Sequence, residues 1–249
     1  MDKKNKTLSV GWLSTGNGEG SLGLFKQGLE LHNQKKISID YVFSNRNYGE
    51  KTGSDNYIDF IKKNKIKIIT LSSKDYKNKN KTLWKNLRND FDKKVLSKIS
   101  KYDVDIIVAA GYMLFSPIIC NYYKILNIHP ALPNGPIGTW KNVILDLINK
   151  ESNYSGISIH LMTPELDEGP NISFCKFNIK DNNNINLWEK LKKQENKIED
   201  SDIFWDIRKR IIFYERALLK KTLEKISNGE IGVTPNKPKN LSEEINQRI

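Results

Sequence analysis

The chain has 249 residues, enough to bury a sizeable core, and the length suits one α/β domain with elaborations or a domain plus a small appendage. Its 41 Lys and Arg against 29 Asp and Glu give a formal charge of +12, yet only six of the basic residues are Arg and the lysines are scattered among asparagines. Composition therefore argues against a specific nucleic-acid reader, the lack of any stretch of about 18 apolar residues argues against a membrane span, and Cys120 and Cys175 lack metal or redox spacing.

The opening MDKKNKT is charged and holds no apolar signal core, so the chain reads as cytoplasmic. TLSVGWLST (7–15) predicts a strand, and residues 21–34 a helix in which Leu22, Phe25 and Leu29 recur at helical spacing after a glycine-rich turn. A second strand is expected over 37–45, a short helix over 56–64 and a third strand over 66–72. A longer helix follows to about Ser100, with Leu83, Leu87, Phe91, Val95 and Ile99 as its buried stripe. VDIIVAAG (104–111) is a nearly continuous apolar run, as a strand covered on both faces requires. ILNIHPA gives the next strand, TWKNVILDLIN a helix, and residues 156–163 and 172–179 two further strands. The stretch from 186 to 228 reads as helical, and GVTPNKPKN breaks it. Strand and helix alternate throughout, which predicts an α/β fold with a mostly parallel twisted sheet and helices on both faces. One domain is expected over residues 1–232, followed by a flexible tail over 233–249.

Ligands of open α/β sheets bind outside the carboxyl ends of the strands, and three features fall there. Gly16, Asn17, Gly18, Glu19 and Gly20 join the first strand to the first helix, where backbone N–H groups can face an anion; the same segment also serves as a plain turn. Asn127 and His129 stand two apart on a strand and so share a face, with Pro130 and Pro133 stopping the strand beyond them. Asp167 sits in the turn-forming run from Met162 to Pro170.

Together, Asn127-Ile128-His129-Pro130 and the later Pro164-Glu165-Leu166-Asp167-Glu168-Gly169-Pro170 resemble the folate-dependent formyltransferases, and among them the phosphoribosylglycinamide (GAR) formyltransferases. The resemblance implies a Rossmann-like formyltransferase fold and transfer of a formyl group from 10-formyltetrahydrofolate, the donor co-substrate, to a small-molecule amine with no metal. It implies Asn127 and His129 as donors to a developing oxyanion, with Asp167 beside the histidine to raise its pKa. It implies phosphate and ribose contacts from Gly16 to Gly20 and from Glu215. Folate contacts are implied from Lys81, Met113, Leu114, Phe115, Asn127, Thr163, Pro164, Glu165, Leu166 and Asp167, with His160 in support. A monomer or homodimer without nucleic-acid or membrane partner follows as the expectation.

The family's S-G-N-G-S-N loop stands here one residue longer and carries Glu19, whose charge repels a phosphate if it points inward. GYMLFSP is one residue short of G-F-M-R-I-L-S-P and lacks its Arg, and helical length is added around 190–210. These departures touch the substrate ends rather than Asn127, His129 and Asp167, so formyl transfer stands more firmly than GAR, the leading amine, with an amino sugar nucleotide as the alternative. The tRNA-charging relatives, with their large RNA-binding domain, and the formyl-folate hydrolases, with an N-terminal regulatory domain, fit the chain's length less well.

Overall fold

The computed structural model describes residues 7–165, 169–193 and 197–247. Within them, β1 (Leu8–Ser14), β2 (Ile37–Ser44), β3 (Ile68–Thr70), β4 (Ile106–Ala109), β5 (Ile125–His129), β6 (Tyr154–Leu161), β7 (Asn171–Asn178) and β8 (Lys239–Asn240) form one sheet in the order 3-2-1-4-5-6-7-8. The pairs from β3 to β5 are parallel, β5–β6 and β6–β7 are antiparallel, and β7–β8 is parallel again. The expected mostly parallel α/β fold is therefore present. Strand order reverses between β1 and β4, which opens a crevice above their carboxyl ends.

Alternation along β1 divides its side chains between two cores. Val10 and Trp12 enter one with Phe25 of α1 (Glu19–Asn33), Val143 of α5 (Trp140–Asn149) and Ile211 of α7 (Asp202–Ser227). Leu13 enters the other with Phe91 and Val95 of α4 (Trp84–Ile99). Helices thus cover both faces, and the central strands are apolar on both sides.

Several boundaries differ from the sequence expectation. The single helix up to Ser100 is two, α3 (Ser73–Asn80) and α4, because Lys81 takes a left-handed backbone (φ 47°) that ends α3. Leu83, read as part of a buried stripe, is the exposed residue preceding α4. The helix α2 (Thr52–Lys63) starts four residues before the expected 56, and the 186–228 stretch splits into α6 (Ile185–Lys192), a 3₁₀ turn (Ile198–Asp200) and α7.

The segment read as a flexible tail carries β8 and α8 (Ser242–Asn246) instead. Leu241 and Ile245 are buried in the main core, and the Leu241 N–H donates to the Phe174 carbonyl at 2.8 Å. Two apolar anchors and a ladder bond offset the entropy of ordering this short piece.

Candidate active site

A cleft of about 570 Å³ runs across the crevice. Its lining is drawn from the α1 N-terminus and α7, from the segment 111–115 and α4, and from β5 and β6. Asn127, half-buried, and His129, buried, both line it, so the two-residue spacing on β5 does place them on one face. Pro130 and Pro133 end the strand, and the returning loop brings the Pro136 carbonyl 2.8 Å from His129 Nε2. A carbonyl can only accept, so Nε2 carries the hydrogen, which leaves Nδ1 as the unprotonated position of the neutral ring.

His160, on β6 opposite Asn127 in the register, is fixed by the same logic. Its Nδ1–H donates to the Leu161 carbonyl at 3.0 Å, so Nε2 of the neutral ring accepts from Asn127 Nδ2 at 3.1 Å. This bond sets which way the Asn127 carboxamide faces and leaves its second N–H hydrogen for a ligand. The His129 and His160 rings meet edge to face at 6.4 Å.

At the α1 end, Gly16 (φ 65°) and Gly18 (φ 102°) take backbone conformations that a side chain would strain. They shape the turn while Asn17 and Gly20 line the cleft. Glu19 turns outward: its carboxylate accepts from Arg216 Nη2 at 3.2 Å and lies outside the cleft lining. The feared repulsion of an anion is therefore absent from this arrangement.

Glu215 lines the same cleft and is only 8% exposed, and burial pushes its carboxyl up to about 6 although Arg208 and Arg216 pull it back. Arg208 stands two helical turns before it, 3.8 Å away, with its guanidinium over the Trp140 ring at 4.3 Å. Burial holds the Arg208 guanidinium below its ordinary range.

Met113, Leu114, Phe115, Thr163 and Glu165, expected as folate contacts, line the same cleft. Pro164 falls outside the lining residues, and Leu166 and Asp167 lie outside the described residues. Lys81 is exposed at the end of α3 and lies outside the lining as well. The basic group supplied by α4 is Arg88, its guanidinium 5.4 Å from the Phe115 ring and its Nε buried without a partner. One turn on, the buried Asp92 accepts from the Ile118 and Ile119 N–H groups at 2.7 and 3.0 Å and so anchors the segment that follows Phe115.

Sequence reading missed Arg88, Arg208 and Trp140. A signal existed: in a chain where lysine supplies nearly all basic charge, two of only six arginines line one cleft. A planar guanidinium tolerates partial burial better than a lysine ammonium. Among the described residues, no group of three or more His, Cys, Asp or Glu could hold a metal ion, and no helix is long and apolar enough to cross a membrane.

The sequence matches the family model described as formyl transferase over residues 26–199. It is 31% identical over 136 residues to the phosphoribosylglycinamide formyltransferase of Escherichia coli (strain K12), covering 52% of this chain and 62% of that protein. It is 30% identical over 142 residues to the formyltetrahydrofolate deformylase of Bacillus subtilis (strain 168), covering 54% of this chain and 46% of that one. The matches thus span about half to three-fifths of these curated relatives' own length.

Among solved structures, glycinamide ribonucleotide transformylase 1 from Symbiobacterium toebii superposes with a TM-score of 0.66 at 19% identity, over 91% of this chain and 90% of that one. A formyltetrahydrofolate deformylase from Pseudomonas syringae pv. tomato superposes with a TM-score of 0.67 at 16% identity, over 93% of this chain and 65% of that one. At these identities the superpositions show the shared fold alone.

Proposed function

This chain belongs to the formyl transferase family, and from that premise we propose that it transfers the formyl group of 10-formyltetrahydrofolate to the amine of phosphoribosylglycinamide. The observation that carries the reading is the placing of Asn127 and His129 on one face of β5, in a cleft whose lining combines a polar, charged part with an apolar one. The α1 and α7 part is polar and charged, which suits a phosphorylated sugar. The 111–115 part offers Met113, Leu114 and Phe115 for a flat heterocycle and Arg88 for an acidic tail.

The amine nitrogen attacks the formyl carbon, the carbon's bond to the folate N10 breaks, the amine loses one proton and N10 gains one. Charge develops on the formyl oxygen, and a preplaced donor there is worth roughly 3 kcal/mol of barrier. The Asn127 Nδ2–H not given to His160 supplies such a donor without reorganising. His129, once protonated at Nδ1, is the second donor and the proton source for N10. Asp167 is assigned beside it by resemblance alone.

Hydrolysis of the same donor is the second reading, favoured by the deformylase similarity. The Arg208, Glu215 and Trp140 part of the cleft weighs against it, because water needs no such site. Incubation with 10-formyltetrahydrofolate and a panel of amines, GAR first and amino sugar nucleotides next, tests both. Folate release that depends on GAR supports the transferase. Formate released at the same rate without any amine would replace it with the hydrolase.

A further inference from the structure

A second cavity, of about 280 Å³, opens between α1, α7 and α8 and shares no lining residue with the cleft. Its size is near the lower edge of the roughly 300–1,000 Å³ of small-molecule sites. Along α7, Phe213, Ala217, Lys220 and Lys221 face it at helical spacing, joined by Arg216 and by Ile245 of α8. Phe213 is 49% exposed, an aromatic ring the fold leaves half uncovered. Apolar and basic groups therefore meet in one concave wall.

The ion pairs around the cavity are asymmetric. Arg216 pairs with Glu19, Lys220 with Glu30 and Lys221 with Glu244, and in each pair the cation is the less exposed partner, at 29, 28 and 19% against 83, 45 and 37%. The positive charge is built into the wall, whereas Glu19 and Glu30 reach it from α1 and stand outside the lining. Exposed pairs of this kind contribute little, so an incoming anion can take the place of their carboxylates at small cost. The two acids in the lining are committed elsewhere: Glu224 binds Lys36, and Glu244 has Lys225 as a further cation at 3.1 Å. Arg216 rests against α1 where a Cβ on Gly23 would overlap it, and its Nε is buried without a partner.

We propose that this cavity is a second ligand site and binds an aromatic carboxylate. The head sits on Arg216 and Lys220, which are one turn apart on α7 and so within reach of a single carboxylate, in place of Glu19 and Glu30. The flat body lies against Phe213, Ala217 and Ile245 and covers the apolar surface left open there. The site lies apart from the reacting groups and does not rest on the transferase reading.

The test is calorimetric titration of the full chain with 2-naphthoate, with 2-naphthalenemethanol as its uncharged analogue and sulfate as an anion without an apolar body. Wild type should bind 2-naphthoate at least about tenfold more tightly than either control, because charge and apolar area act together. Phe213→Ser should weaken the probe by about tenfold. Lys220→Gln should weaken it by about fivefold, whereas Glu30→Gln, which removes the competing carboxylate, should tighten it by about threefold. Those two variants break the same ion pair from opposite sides, so a lysine that only held the fold together would move both affinities the same way. If Phe213→Ser does not fold, this pair of variants decides. Equal binding of the alcohol, no binding up to the solubility limit, or equal direction in Lys220→Gln and Glu30→Gln would overturn the proposal. So would a signal lost in Arg88→Leu and kept in Phe213→Ser, which would put the probe in the cleft. No formyl donor is present in the titration, so failure of the transfer assay leaves this inference standing and failure of the titration leaves the transferase reading untouched.

Discussion

Asn127 and His160 stand directly opposite each other across the β5–β6 pair, and the amide of the first donates to Nε2 of the second at 3.1 Å. A strand register thus aims the side chain proposed as an oxyanion donor. Asn127→Ala should lower kcat by roughly 10² to 10³. His160→Phe should lower it by about tenfold, within the coupling of roughly 0.5–3 kcal/mol found inside one hydrogen-bond network. The double variant should be no slower than Asn127→Ala alone. Steady-state kinetics on the four proteins closes the cycle, and losses that multiply would show that His160 acts on the reaction independently of Asn127.

Burial lifts the Glu215 carboxyl from 4.5 to about 6. The native state then holds a proton that the unfolded chain has already released, so the stability this group contributes is present below about pH 4.5 and falls as pH rises through about 6. The loss is about 2 kcal/mol. Urea unfolding of wild type and Glu215→Gln from pH 4 to 7.5 should show wild type losing ground to the variant across that window. Parallel profiles would mean that Glu215 titrates alike folded and unfolded.

The fold was legible because strand and helix periods agree with burial over most of the chain; β1, β5 and α5 lie within a residue or two of their expected limits. What escaped depends on distance. Arg88 and Lys81 are seven positions apart, and periodicity cannot say that the chain turns left-handed at Lys81 and sends only Arg88 into the cleft. Arg208 sits in a helix that reads as ordinary amphipathic surface, and its place in the cleft appears only when Trp140 and Gly20, remote in sequence, come beside it. Pro235 and Pro238 suggested a loose tail because proline predicts a break, and nothing local foretells that Leu241 and Ile245 find the core beyond it.

Arg88 and Lys81 give a direct comparison. Arg88→Leu should raise the KM for the folate donor about tenfold with kcat nearly unchanged, the pattern of a contact equal in ground and transition states. Lys81→Ala should leave both constants within twofold. The reverse outcome would return the folate contact to Lys81.

Asp92 is buried, and desolvation pushes its carboxyl up while the Ile119 and Ile118 N–H groups pull it back. Asp92→Ala strips both donors of their partner and should cost about 3 kcal/mol of stability. Asp92→Asn keeps an acceptor oxygen and should cost less than half as much. Both values come from urea denaturation, and an alanine variant as stable as wild type would mean that these N–H groups are satisfied some other way.

The pairing of β8 with β7 bears on how the chain is made. Ser173 and Phe174 meet Lys239 and Asn240 some 65 residues later in the chain. While the chain is being synthesised, β7 emerges and pairs with β6 long before its other side can be covered. During that interval it presents unpaired backbone groups and an apolar face to neighbouring nascent chains, the circumstance in which edge-to-edge association begins. A message truncated before Lys239 would leave every cleft residue encoded and this side of the sheet permanently bare, so aggregation, not a damaged site, is the failure expected of it.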